Sequence, residues 1–381
     1  MTYTKEISKT IQTPIQKKRE YGIDALRIVS MFFVVVLHMV GNGGILPFSQ
    51  PLGGSYMAGW FLGVATQCAV NCYGMISGYV GLNSKFRYTN IVMLWLQVAF
   101  YTVGITAVVW YINPDLVGTM EIKSAIFPTY FKQYWYFSAY FCLFFFMPAL
   151  NVVVHKLSKK QLEAILVSLL VAFSILPTVF ERDAFHLIDG YSVLWLGVLY
   201  LIGAYIKKYD FANKRSVFVW LSIYAVCVII SWAAKIAIEK YQIDLFSGNV
   251  NGEIPIKYIS PTMVIAAVAL VGAFAKMKPG KILSKVIKVI SPLTFGVYLI
   301  HVHPYVWMLF NKKLLHLLDV PVYEMVVRVI GVAAIVFIAC MIIEYIRALL
   351  FSVLRIKKLF LWIENKIVGD LWDFKNNQRG E

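Results

Sequence analysis

Long apolar runs separated by short polar ones set the pattern of this chain. Runs near the length needed to cross about 30 Å of hydrocarbon recur ten times, at 23–41, 56–80, 91–112, 134–154, 162–180, 191–206, 217–238, 258–275, 290–310 and 322–350. The pattern predicts an all-α, polytopic membrane protein of about ten transmembrane helices. The sixth run is short, and the last is long enough to tilt or to run out along the interface.

The polar segments between the runs carry the orientation signal. With the N-terminus inside, the inner loops read SKFRY, HKLSKK, KKYDFANKR and KMKPGKILSKVIK, and the tail adds RIKK. The outer loops hold few lysines or arginines, and this bias orients membrane helices. Both termini are therefore expected in the cytoplasm. The chain divides into an N-terminal cytoplasmic segment 1–22, a membrane domain 23–350 and a basic cytoplasmic tail 351–381. No small-residue cleavage pattern follows the first run, so it reads as a retained span rather than a removed signal peptide. On the outer side GNGGILPFSQPLGGS is Gly/Pro-rich and suits irregular structure. The loops at 113–133, 181–190 and 239–257 mix acids with aromatics and suit an outward-facing mouth.

Composition sharpens this reading. Hydrophobic residues make up 60% of the chain and charged ones only 15%, against about 25% charged in soluble domains. The net charge of +16 sits in clusters between apolar runs, where it orients the helices, and no nucleic-acid partner is expected. The five cysteines all fall inside apolar runs. An odd count without CxxC spacing argues against a disulfide framework or a zinc site, and no metal is expected. No internal repeat of the transporter kind is evident.

Candidate chemistry begins in the first run, YGIDALRIVSMFFVVVLHMV, residues 21–40. Its Asp24, Arg27 and His38 share one face. The 11 residues from Arg27 to His38 turn an α-helix through three revolutions plus only about 20°. Ionisable groups at such depth are costly and usually face a bundle interior or a wet cavity. An imidazole can take a proton from a hydroxyl and later return one, and the planar donors of Arg27 suit phosphate. Plainer uses exist: a helix-packing histidine, and a snorkelling arginine anchor paired with Asp24.

Other runs add weaker candidates. The second ends in NCYGMISGYVGLNSKFR, where Gly74, Gly78 and Gly81 allow close helix packing. Ser77 lacks a local base, and GMISGY is not a nucleophile elbow. Lys85 and Arg87 stand at the inner boundary, suited to phosphates or to marking topology. In SPLTFGVYLIHVHPYVW, His301 and His303 point about 160° apart on a helix, which disfavours a joint metal site; His301 lies deeper and is preferred. Lys235, Arg328 and Glu344 read as boundary or pairing residues. In YWYFSAYFCLFFFMP, Tyr134, Trp135 and Tyr136 are interface anchors or a stacking platform for sugar rings.

Taken together, these residues resemble the integral-membrane acyltransferase 3 family, whose bacterial members O-acylate surface polysaccharides, peptidoglycan and related glycans. IDALR followed by an apolar run to LH gives Arg27, ten intervening residues and His38. MISGYVG resembles the family's SG motif at Ser77 and Gly78. YWYFSAYFCLFFFMPALN resembles its Trp-to-Pro-Asn segment at Trp135, and SPLTFGVYLIH its penultimate-helix motif ending at His301. The matches run in order from residue 23 to residue 303.

The resemblance implies acetyl-CoA as acyl donor from the cytoplasm and a hydroxyl acceptor near the outer face. The acceptor would be a polysaccharide or lipid-linked glycan. It also implies a bacterial cytoplasmic membrane location, contact with membrane lipids and, for some relatives, polysaccharide assembly proteins. His38 would be the catalytic residue, as general base or transient acyl carrier. Arg27 would hold the donor, with Lys85 and Arg87 as further cations; Asp24, Ser77, Gly78, Trp135 and His301 would support them. Some relatives carry two arginines three apart at the inner end of the early helices, and here no arginine follows three residues after Arg87. Some also carry a fused extracytoplasmic domain, which is not expected here.

Two other classes compete. A transporter or flippase of a lipid-linked sugar or small anion would use the same polar stripe without consuming acyl-CoA. A structural partner in a polysaccharide assembly complex would tolerate loss of His38.

Overall fold

The computed structural model describes residues 19–246, 248 and 250–369. Most of the expected N-terminal cytoplasmic segment and the end of the basic tail lie outside the described residues. Among the described residues the fold is helical, with no strands. Eight helical stretches are long and apolar enough to cross a membrane.

In chain order, α1 (Tyr21–Gly41) runs on through a short turn into α2 (Ile45–Phe48). Next come α3 (Gly54–Gln67), α4 (Ala69–Gly81), α5 (Tyr88–Ile112) and the short α6 (Thr119–Ile126). α7 (Trp135–Lys156) is followed by α8 (Lys159–Leu170), which joins α9 (Leu176–Phe180) through one wide turn. α10 (Val193–Lys208), α11 (Val217–Tyr241) and α12 (Pro261–Ala275) then lead to α13 (Lys281–Ile290) and α14 (Thr294–His301). α15 (Pro304–Phe310), α16 (Val322–Val353) and α17 (Ile356–Ile367) complete the order.

The ten expected spans therefore become eight long stretches and two shorter arrangements. The run at 56–80 divides at Cys68 into α3 and α4, of 14 and 13 residues. Its cause is local: the Thr66 hydroxyl donates back to the Leu62 and Gly63 carbonyls, at 2.8 and 3.0 Å. Such side-chain bonds compete with the helical ladder and bend it. The run at 191–206 forms α10, only 16 residues long. The ninth run also differs from its expected bounds. Pro304 cannot continue a helix, so α14 stops at His301 and α15 starts afresh, with the His303 ring accepting from the Tyr305 N–H.

Short α10 is nonetheless deeply enclosed in the bundle, and glycines make that possible. A Cβ on Gly78 of α4 would stand 1.8 Å from the Tyr200 carbonyl oxygen, and one on Gly203 of α10 would stand 1.8 Å from that of Met75. Each helix thus offers a glycine to the other's backbone, and their axes approach as only small residues permit. One apolar core surrounds this pair, with Trp195, Leu199 and Tyr200 fully buried. A second lies between α1, α14 and α16, around Val35, Val297, Met325 and Val329. α1 touches both cores, so its polar stripe is held from two sides.

Two helices at one end are amphipathic. α13 presents Lys281, Lys285 and Lys288 beside exposed Ile282, Val286 and Val289, a composition suited to a membrane surface. On α17, Glu364 accepts from the Tyr88 and Thr89 backbone N–H groups at 2.9 and 3.1 Å. It therefore caps the start of α5 from a distant part of the chain.

Candidate functional site

At one end of α1, Asp24 organises the polar stripe. Its carboxylate accepts from Arg27 Nη1 at 2.7 Å, from Arg19 Nε at 2.5 Å and from Ser291 Oγ at 3.2 Å. The carboxylate is buried, and these donors supply the pairing that a buried charge requires. Arg27 is held in place by this bond, and it lines a cavity of about 420 Å³.

That cavity gathers the cations singled out in the sequence. Lys85 and Arg87, from the loop before α5, line it together with Arg27, and Ser84, Asn90 and Asn151 add polar groups. Ser77 also lines it, but its hydroxyl donates to the Tyr73 carbonyl of its own helix at 2.9 Å, a packing arrangement rather than a nucleophile's. Gly78, the next residue, packs against α10 instead.

Three turns further along α1, His38 lines a second cavity of about 230 Å³. Its Nδ1 lies 2.9 Å from Nε2 of His301, and Nδ1 of His301 lies 2.6 Å from the Val297 carbonyl oxygen. A carbonyl only accepts, so His301 Nδ1 carries the proton and its Nε2 is the acceptor. His38 Nδ1–H is then the donor in the pair, which leaves His38 Nε2 as an unprotonated nitrogen. The second ring nitrogen of a histidine is commonly set by such a bond. Trp307 packs edge-on against the His38 ring, with centroids 4.7 Å apart. Its carbonyl accepts from Asn42 Nδ2, just past the end of α1.

The two cavities meet at a wall of aromatic rings. Tyr73, Tyr136 and Phe295 line both of them. Tyr73 and Tyr136 meet edge to face at 6.2 Å, and the Tyr73 hydroxyl donates to the Arg27 carbonyl at 2.8 Å. The same α1 thus presents a guanidinium to one chamber and an imidazole to the other. Beyond the wall, Gln67, the last residue of α3, adds a polar group to the histidine chamber.

Trp135 lies in the wall of the histidine chamber, stacked on Tyr258 with an interplanar angle of 23°. Tyr134 is neither an interface anchor nor part of a sugar platform. It is 1% exposed and its hydroxyl donates to the Leu299 carbonyl, because its place just before α7 aims it into α14 while its two neighbours face the cavities. His303 is buried too, bonded to Gln133 at 3.2 Å, and does not join the His38–His301 pair.

The other ionisable groups form pairs away from both cavities. Lys235 bonds Glu239, and Arg328 bonds Glu324. Glu344 accepts two bonds from Arg347, at 2.9 and 2.6 Å, and further ones from Gln97 and Tyr101. This buried network rests on Gly296, where a Cβ would stand 2.3 Å from the Glu344 carboxylate. It braces α14, the helix that carries His301, from its far side.

Sequence reasoning did not single out Tyr73, Phe295, Tyr298 or Trp307. The available signal was spacing: Tyr298 precedes His301 by three residues, and so shares its helical face.

The profile of the acyltransferase 3 family, described as an acyltransferase domain, matches residues 20–345. No curated protein and no solved structure matches the chain.

Proposed function

The chain belongs to the acyltransferase 3 family, and from that premise we propose that it moves an acetyl group from acetyl-CoA to a glycan hydroxyl. It is a multi-pass membrane acyltransferase. The acceptor is an exported or cell-surface polysaccharide, or its lipid-linked precursor, and the location is the bacterial cytoplasmic membrane.

The division between the chambers supports this reading. A CoA thioester carries phosphates at one end and a small neutral acyl group at the other. Arg27, Lys85 and Arg87 suit the phosphates, with the pantetheine arm directed toward the aromatic wall. The histidine chamber is small and mostly apolar, so it matches an acetyl group and one acceptor hydroxyl. The lysine and arginine bias of the loops supports a cytoplasmic phosphate end, on the side where acetyl-CoA is made.

The single observation that carries the proposal is the hydrogen-bond chain from His38 through His301 to the Val297 carbonyl. It leaves His38 Nε2 able to accept the acceptor's hydroxyl proton. As the hydroxyl oxygen attacks the thioester carbonyl, His38 becomes an imidazolium, and His301 accepts its Nδ1–H bond throughout. The proton then passes to the departing CoA sulfur, giving an ester and free CoA.

The test uses membranes holding equal amounts of wild-type protein or His38→Ala, supplied with labelled acetyl-CoA. Label in the polysaccharide fraction and released CoA are followed together. Loss of general-base catalysis is expected to lower transfer by about 10²–10⁴-fold. Equal transfer by both proteins removes His38 from the mechanism. If wild-type protein consumes no acetyl-CoA while glycan export still depends on it, the protein is a transporter.

A further inference from the structure

Five buried side-chain polar atoms have no hydrogen-bond partner among the described residues: Ser30 Oγ, Trp60 Nε1, Thr129 Oγ1, Gln133 Oε1 and the Tyr298 hydroxyl. Of these residues, only Tyr298 lines either chamber, and the chamber it lines is that of His38. Tyr298 is 7% exposed. A phenol hydroxyl enclosed in this way is costly unless something accepts its hydrogen.

Two neighbouring tyrosines are placed differently. Tyr73 and Tyr134 each donate to a backbone carbonyl, of Arg27 and Leu299 respectively. Their hydroxyls are engaged in holding helices together. That of Tyr298 has no acceptor for its hydrogen. Its ring is fixed nevertheless, parallel to Phe295 at 6.1 Å and edge-on to Tyr136 at 6.4 Å. It stands one helical turn before His301 on α14, and the Glu344 network braces that helix.

Acyl transfer needs a donor at one further point. When the acceptor oxygen bonds to the thioester carbonyl carbon, the carbonyl π electrons move onto its oxygen, which becomes an oxyanion. A fixed donor in a water-poor chamber stabilises that charge more than it stabilises the ground-state carbonyl. Building on the acetyl-transfer reading, we propose that Tyr298 is a catalytic residue whose hydroxyl donates to this oxyanion. The electron pair returns to the carbon as the C–S bond breaks. CoA thiolate leaves and takes the proton held by His38, while Tyr298 keeps its own proton throughout. Base and oxyanion donor then come from two helices, α1 and α14, clamped together by the His38–His301 bond.

The experiment compares wild type, Tyr298→Phe and His38→Ala, purified in lipid nanodiscs. It measures acetyl transfer to the glycan and acetyl-CoA binding by titration calorimetry. Tyr298→Phe is expected to lower kcat by about 10²–10³-fold, the usual effect of losing an oxyanion donor, with donor affinity within about threefold of wild type. A kcat within threefold of wild type overturns the assignment while leaving acetyl transfer intact. Wild-type protein that transfers no acetyl group overturns both. If the phenylalanine variant fails to fold, 3-fluorotyrosine introduced at position 298 serves instead. Its more acidic phenol is a stronger donor and is expected to raise kcat by about twofold or more, whereas an unchanged kcat overturns the proposal.

Discussion

The two chambers along α1 differ in how they are built. The larger one, of about 420 Å³, is lined by α1, α4, α5, α7 and α10 but takes two of its three cations, Lys85 and Arg87, from the loop before α5; the third, Arg27, stands on α1. Its rim is tied together from afar, since Glu364 of α17 caps α5. The smaller one, of about 230 Å³, is walled by rings on the helices of the bundle. Its His38 ring is oriented by a chain of two hydrogen bonds. Loop-borne cations suit a flexible, multiply charged ligand whose phosphates need only be met approximately. A transition state requires placement within a fraction of an ångström, which rigid helices supply. On the proposed reading, part of the binding falls to a loop and the chemistry to helices, with α1 serving both.

Three substitutions sharpen that contrast, in descending order of effect. His301→Phe removes the acceptor that fixes the His38 tautomer, and kcat is expected to fall by about 10²-fold or more, by analogy with other oriented imidazoles. His301→Gln restores an acceptor and should recover much of the rate, as steady-state transfer assays will show. If phenylalanine and glutamine behave alike, the orienting bond has no role. Arg27→Ala acts on the other chamber. Loss of a charge-assisted contact to phosphate, worth about 1.5–3 kcal/mol, should raise the KM for acetyl-CoA by about tenfold to a hundredfold with kcat little changed, and added salt should weaken donor binding. The smallest effect concerns the shared wall. Phe295→Ala should widen it and shift preference toward butyryl-CoA over acetyl-CoA by about tenfold, the usual worth of one or two methylenes in an apolar pocket. Competition between the two donors measures that ratio.

Much of the outline was legible in the sequence, for identifiable reasons. Helical periodicity is regular enough that Asp24, Arg27 and His38 had to share a face, and the structure places Arg27 and His38 in neighbouring chambers that share a wall. His301 was legible as a buried candidate. Its pairing with His38 was not, because the two lie 263 residues apart and only the packing of α14 on α1 brings them together. The break at Cys68 was hidden for a different reason. It follows from where the Thr66 hydroxyl points, and a threonine within an apolar run gives no hint of that. Tyr134 shows how coarse a compositional reading is: three adjacent aromatics read as one group, interface anchors or a platform, yet the start of α7 sends one of them into the core. Tyr298 is one of 23 tyrosines, and what sets it apart, a buried hydroxyl without a partner, exists only in three dimensions.

The division of labour between the chambers can be tested directly in a single preparation. Wild type, Arg27→Ala and His38→Ala in nanodiscs would be titrated with acetyl-CoA by calorimetry, then followed through one turnover of acetyl transfer at saturating donor. The account predicts that His38→Ala binds acetyl-CoA with wild-type affinity and fails to transfer it. Arg27→Ala should bind at least tenfold more weakly and, once saturated, transfer at nearly the wild-type rate. The reverse pattern, or His38→Ala turning over at the wild-type rate, contradicts the account.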